Sequence, residues 1–203
     1  MDFRKYLIII MIFIILTFIV LGYQSVTTLD IAVIAKVQAA MSSFSTEIPK
    51  VFGDLTYGFK FWIPVLLVAL LLIIKRKYAS AVLMFIIVQL AYCASDVLKT
   101  IIGRVRPPME MRVIPLDNPS FPSGHSLIAM CFWGICIYLI NRYVQNDFIK
   151  WTLIILCALM IPFTGFTRLW LGVHYPTDLL GGYIIGLIFV LLFADIDKKI
   201  QRD

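Results

Sequence analysis

Two histidines, His125 and His174, are the only ones in 203 residues, and each stands among residues that suit a phosphate. His125 closes the string Pro122-Ser123-Gly124-His125. His174 lies between Arg168 and Asp178, and upstream Lys99 is followed by Arg106-Pro107. Imidazole is the side chain whose ordinary pKa suits proton transfer near neutrality. Backed by a carboxylate it can also serve as a nucleophile. Taken singly, each cluster has a plain explanation: a loop cation beside a turn proline, a well-capped helix start, a structural His–Asp hydrogen bond. Taken together they do not, because three cations brought to one place repel. Like charges about 4 Å apart cost a few kcal/mol at an effective dielectric near 20. A phosphate monoester, with roughly −1.5 to −2 charges at neutral pH, is the natural counter-ion. The chemistry these residues suit is attack on a phosphate.

The elements that must position them are membrane helices. Apolar residues make up 61% of the chain and charged residues 15%, with a mean hydropathy of +0.94. A soluble domain carries about 45–50% apolar and about 25% charged residues. Apolar stretches run over residues 7–23, 61–74, 79–102, 125–140, 151–166 and 179–193. A span needs about 20 mainly apolar residues, so the shorter stretches must borrow interfacial neighbours. The expected fold is all-α, a bundle of six transmembrane helices forming one membrane-embedded domain over residues 1–203. The first stretch follows Arg4-Lys5 but lacks a small-x-small cleavage site, so it reads as an uncleaved span.

Lys and Arg then set an orientation. Short dense clusters (Arg4 and Lys5; Lys75, Arg76 and Lys77; Arg142 and Lys150; Lys198, Lys199 and Arg202) fall on one side, ten residues in all. With Lys99, Arg106 and Arg168 set aside as functional, five remain on the other: Lys36, Lys50, Lys60, Arg104 and Arg112. Both termini are expected in the cytoplasm, with the chain in a bacterial plasma membrane. Parity adds a result independent of that orientation. The chain leaves the third span after Lys99 and re-enters near Ser123, then leaves the fifth near Arg168 and re-enters near Asp178. All three clusters therefore share one membrane face, the extracytoplasmic one in this orientation.

Local chemistry agrees. Ser123 is a good N-cap, and a helix N-terminus presents unpaired amides to an anion. Gly124 would let a phosphate oxygen approach the backbone. Gly172 lets the chain leave the fifth helix, and Pro176 suits the first turn of the sixth. His174 and Asp178, four apart, lie on one side of a helical turn.

At these residues the chain resembles the type 2 phosphatidic acid phosphatase superfamily. Its motifs read Lys-x6-Arg-Pro, Pro-Ser-Gly-His and Ser-Arg-x5-His-x3-Asp, matched here over residues 99–107, 122–125 and 167–178. Thr167 replaces the family's Ser; its methyl is expected to reshape the phosphate cradle. The resemblance implies His174 as nucleophile, Asp178 as the group that fixes its tautomer, and His125 as proton donor to the leaving oxygen and later base for water. It implies Lys99, Arg106, Arg168, Ser123 and the Gly124 amide as phosphate ligands, with Pro107, Pro122 and Thr167 in support, and no metal or other cofactor. Phosphatidylglycerol phosphate is the implied substrate, with phosphatidic acid and undecaprenyl pyrophosphate as alternatives. The related vanadium-dependent haloperoxidases are soluble, unlike this chain. A phosphate- or lipid-binding transporter is the non-enzyme alternative; it would place charges at mid-membrane depth, whereas these gather near one face, Asp96 being the nearest exception.

Trp62, Phe121, Trp170 and Tyr175 are candidates for interfacial anchors or the site entrance. In residues 24–58, Ile34, Val37, Met41, Phe44 and Ile48 recur at helical spacing after a potential cap at Asp30. This reads as an amphipathic interfacial helix between the first two spans, either a lid or a bundle cap. Gly182 and Gly186 form a small-x3-small pair, read as packing inside the bundle over dimerisation. Cys93, Cys131, Cys136 and Cys157 lie within spans without metal-ligand spacing. No basic stripe with interleaved aromatics points to nucleic acid. The tail from Asp195 is read as a solvated end.

Overall fold

A computed structural model describes residues 3–201. The described residues are helical, with no strand among them: α1 (Phe3–Gly22), α2 (Gln24–Ala40), α3 (Glu47–Thr56), α4 (Trp62–Ile74), α5 (Tyr78–Ile102), α6 (Gly124–Tyr143), α7 (Asp147–Trp170) and α8 (Pro176–Ile200). Single 3-10 turns precede α4 and interrupt the long α5–α6 connection. Among the described residues, α1, α5, α6, α7 and α8 are long and apolar enough to cross a membrane. The expected second span differs. α4 has only 13 residues, about 20 Å of helix against a hydrocarbon core of about 30 Å. It makes a sixth crossing only together with α3, from which it is bent by 64°.

Helix ends follow local chemistry. The α6 start is capped by the Ser123 hydroxyl, which accepts from the Ser126 amide at 3.4 Å. Asn146 caps α7 in the same way, through Ile149 N–H at 3.0 Å. Gly103 and Gly172, both at φ +66°, end α5 and follow α7 in the left-handed region that glycine enters without steric cost. At Gly172 a Cβ would also lie 2.0 Å from the Met111 carbonyl oxygen, so the turn is fixed by packing as well.

The helix α6 forms the centre, with α5, α7 and α8 around it. Its seam with α8 is tight because glycines let backbone approach backbone. A Cβ on Gly182 would meet the Ser123 carbonyl oxygen at 2.5 Å, and one on Gly186 the Leu127 oxygen at 2.6 Å. The small-x3-small pair therefore packs within the bundle. α1 leans on α8 from outside, with Phe13 stacked on Phe121 at 5.6 Å. At its start Lys5 and Tyr6 bond Asp195 near the end of α8. Both ends of the described chain thus meet at one end of the bundle. Leu66, Leu67, Leu70 and Leu71 of α4 and Ile8, Met11 and Ile15 of α1 face outward, as hydrocarbon solvent requires.

Three sequence expectations change here. The stripe from Ile34 to Ile48 is not one helix, because the chain turns between α2 and α3. Asp30 is no cap but a buried residue in the middle of α2. The tail from Asp195 is solvated only in part: Lys198 and Lys199 are exposed, but Asp197 is fully buried and accepts from Ser80 at 2.5 Å and Tyr138 at 3.0 Å. Arg202 and Asp203 lie outside the described residues.

Candidate active site

One cavity of about 590 Å³ opens at the end of the bundle away from the chain ends, and Lys99, Arg106, His125, Arg168 and His174 all line it. The loop after α5 delivers the first cations. Arg104 and Arg106 are buried while Val105 between them is 79% exposed, the alternation of an extended chain. Ser120 holds this segment through its amide on the Arg104 carbonyl at 2.8 Å. Arg106 is then fastened on three sides: Nε to the Asn118 carbonyl at 2.7 Å, one terminal nitrogen to Asn118 Oδ1 at 2.8 Å, the other to the Val173 carbonyl at 2.6 Å. Burial lowers its guanidinium to about 10, against the pull of Asp178, so it stays charged at neutral pH.

The turn after Gly172 carries His174, which is 1% exposed. Its Nδ1 lies 3.3 Å from Asp178 Oδ2, and its Nε2 lies 3.4 Å from an Arg106 terminal nitrogen. A carboxylate only accepts, so the ring proton belongs on Nδ1 and Nε2 is the acceptor facing the Arg106 guanidinium at the cavity wall. Burial, and after it the charges of Arg106, Lys99 and Arg168, hold the imidazolium well below its ordinary value of 6.5. The ring is therefore neutral at pH 7. Asp178 is shared: the Tyr175 amide donates to Oδ2 at 2.9 Å, and Arg104 donates to Oδ1 at 2.5 Å.

His125 stands in the first turn of α6. Its ring stacks on Tyr57 at 4.8 Å, and its Nε2 lies 3.3 Å from an Arg168 terminal nitrogen. Arg168 is in turn aimed by Thr167, whose hydroxyl accepts from its Nε at 3.1 Å and from a terminal nitrogen at 3.0 Å. The replacement of serine by threonine thus bears on an arginine rather than directly on the cavity. Helix α3 roofs the site. The Pro49 carbonyl accepts from Arg168 at 2.6 Å, and a Cβ on Gly53 would meet that guanidinium at 2.5 Å, so only glycine lets it pass beneath.

Ser123 and Gly124 stand just ahead of His125 at the start of α6. Neither lines the cavity: the Ser123 hydroxyl is the α6 cap, and the space of a Gly124 Cβ is filled by Ser95 Oγ at 2.8 Å and the Tyr57 ring at 3.0 Å. Gly124 is small so that Tyr57 can reach His125. Pro107 accepts from Arg112 Nε at 2.5 Å, which braces the same loop, and Pro122 is buried just ahead of the Ser123 cap. Phe121, Trp170 and Tyr175 are all buried, so none of them forms an entrance. Sequence reasoning missed Arg104, taken as a loop cation, and also Asp30, Asn118, Pro49 and Gly53. The Arg-Val-Arg alternation was the one legible signal among these.

A polytopic helical protein with both histidines and the cations Lys99, Arg106 and Arg168 lining one cavity, and Asp178 behind His174, is thereby defined. The PAP2 superfamily model matches residues 80–202, and the chain belongs to that superfamily. It is 33% identical to phosphatidylglycerophosphatase B of Bacillus subtilis over 130 residues, 63% of each chain, so the match spans less than two thirds of that relative. It is 29% identical to the undecaprenyl-diphosphatase of Sulfolobus acidocaldarius over 72% of this chain and 71% of that one. The fold superposes on the crystal structure of a transmembrane PAP2 type phosphatidylglycerolphosphate phosphatase from Bacillus subtilis with a TM-score of 0.85, at 26% identity and 96% coverage of both chains.

Proposed function

We propose that the protein is a lipid phosphate phosphatase acting on phosphatidylglycerol phosphate through a phosphohistidine, without a metal. The observation that carries this reading is the pairing of the two histidines at one cavity. His174 presents Nε2 beside Arg106 while Asp178 holds the other nitrogen, and His125 waits beside Arg168. His174 Nε2 attacks phosphorus as the bond to the leaving oxygen breaks, and His125 gives that oxygen its proton. His125 then takes a proton from water, which attacks phosphorus, breaks the P–N bond and releases inorganic phosphate. Lys99, Arg106 and Arg168 neutralise the equatorial oxygens, the part divalent cations play in other phosphoryl-transfer enzymes. Dense Lys/Arg clusters at the far end support a plasma membrane orientation with termini in the cytoplasm and the cavity outside.

Phosphate release from a panel of lipid phosphates by the purified protein tests the reading, which falls if none is hydrolysed. The second candidate, undecaprenyl pyrophosphate, is favoured by the relative matched over 71% of its length. A higher kcat/KM for the pyrophosphate than for phosphatidylglycerol phosphate would select it. EDTA should leave turnover within about twofold of the untreated rate; loss restored by magnesium would remove the metal-free mechanism.

The proton on His174 yields a pH prediction. Its folded pKa lies below 6.5, so the neutral nucleophile persists as pH falls past 6.5 and is lost only lower. The acidic limb of kcat/KM should therefore sit below 6.5, and Arg106→Gln, which removes one repelling charge, should move it upward. A wild-type limb at or above 6.5, unmoved by Arg106→Gln, would contradict this assignment.

A further inference from the structure

Behind His174, on the side away from the cavity, Asp178 joins an ion network with two residues that no motif specifies, Arg104 and Asp30. Arg104 places one terminal nitrogen 2.5 Å from Asp178 Oδ1 and the other 3.0 Å from Asp30 Oδ2. The same face of Arg104 reaches Thr177 Oγ1 at 2.7 Å, and that hydroxyl donates to Asp30 Oδ2 at 2.5 Å. Asp30 Oδ1 also accepts the Thr177 amide at 3.3 Å, an otherwise unpaired donor in the first turn of α8. The guanidinium lies over the Tyr175 ring at 4.2 Å. The side chains of Arg104, Asp30 and Asp178 are 5%, 4% and 0% exposed.

Charges so buried persist only when paired in good geometry. A planar fork bridges two carboxylates in a way an ammonium cannot. Asp178 has two oxygens and two tasks. With Oδ1 held by Arg104, only Oδ2 is left for His174 Nδ1, and the carboxylate cannot rotate away. Asp30 fixes the opposite edge of the guanidinium, and it comes from α2, well before the residues the superfamily model matches. α2 is itself pinned over the site, since Gln38 donates to the carbonyls of Met111 and Trp170.

We infer that Arg104 and Asp30 are positioning residues that set the tautomer and aim of His174 by clamping Asp178, which makes α2 part of the active-site scaffold. For turnover the inference rests on the phosphatase reading; for the ring it does not. Displacing a reacting group by about 1 Å can cost on the order of 100-fold. Arg104→Gln should lower kcat by about that factor with KM within about twofold. Asp30→Asn should do the same more weakly, and Arg104→Lys should recover part of the loss. In an Asp178→Asn background, Arg104→Gln should cost little more, because the group it holds is already altered. Histidine-selective ¹⁵N spectra of the whole protein in micelles contain only two rings. In Arg104→Gln the His174 pattern should lose its single Nδ1–H tautomer while the His125 pattern stays unchanged, which also reports that the variant is folded. Unchanged kcat, equal cost in both backgrounds, or an unaltered His174 pattern would overturn the inference. If the wild type hydrolyses no lipid phosphate, the phosphatase reading fails, and the spectra still decide whether Arg104 positions the ring.

Discussion

His174→Ala should abolish phosphate release, by at least about 10⁴-fold in kcat, the scale on which removal of a nucleophile acts. The expectation rests on geometry that leaves no substitute. His174 Nε2 carries the lone pair once Asp178 holds Nδ1, and the group beside it is Arg106, a cation that cannot attack. His125 cannot exchange roles, because its ring meets Tyr57 and Arg168 rather than a carboxylate. The variant should fold, since the contacts holding the loop belong to Arg104, Arg106 and the Tyr175 amide rather than to the imidazole. Phosphate release on a lipid monoester, with an alkaline quench to preserve any phosphohistidine, measures both points. Residual turnover within tenfold of wild type, or labelled phosphohistidine in the variant at another position, would remove His174 from the mechanism.

His125→Ala should lower turnover of a monoester by about 10²–10⁴-fold, the usual contribution of a general acid–base group. The loss should depend on the leaving group. An alkoxide cannot depart unprotonated, so a glycerol phosphate ester is blocked at the first step. A phosphoanhydride expels a phosphate that needs little help, so its first step survives and the loss is smaller. The second step still lacks its base, and phosphohistidine on His174 should accumulate with the anhydride but not with the monoester. Equal losses for both substrates, with no trapped intermediate, would assign His125 to binding through Arg168 instead.

The class of protein and the grouping of its candidate site were legible in the sequence because hydropathy, motif spacing and span count are read along the chain. Hydropathy reports the solvent residue by residue, and Pro122-Ser123-Gly124-His125 carries its own helix start. Counting crossings sufficed to bring Lys99, Arg106, His125, Arg168 and His174 to one face, and they do line one cavity. Spacing also paired His174 with Asp178, four residues apart on one turn.

What depended on contacts between distant segments was not legible. An apolar run does not show where a helix bends, so the second span was read straight through the 64° break between α3 and α4. The hydrophobic stripe of residues 34–48 fitted one helix because periodicity ignores the turn between α2 and α3. Gly124 could be read only by its freedom from a Cβ; its packing reason, Tyr57 just after α3 and Ser95 of α5, lies in distant segments. Arg104 and Asp30 are separated by 74 positions, as are Arg104 and Asp178. No local pattern joins them, and an arginine in a loop looks like a topology charge. Only when the fold buried all three did desolvation force them into contact. By itself the sequence determined which groups can attack a phosphate and on which face they gather. The tertiary structure alone decided what clamps the attacker and what roofs the site, because pairing buried charges and packing backbone on glycine are decided by space, not by spacing.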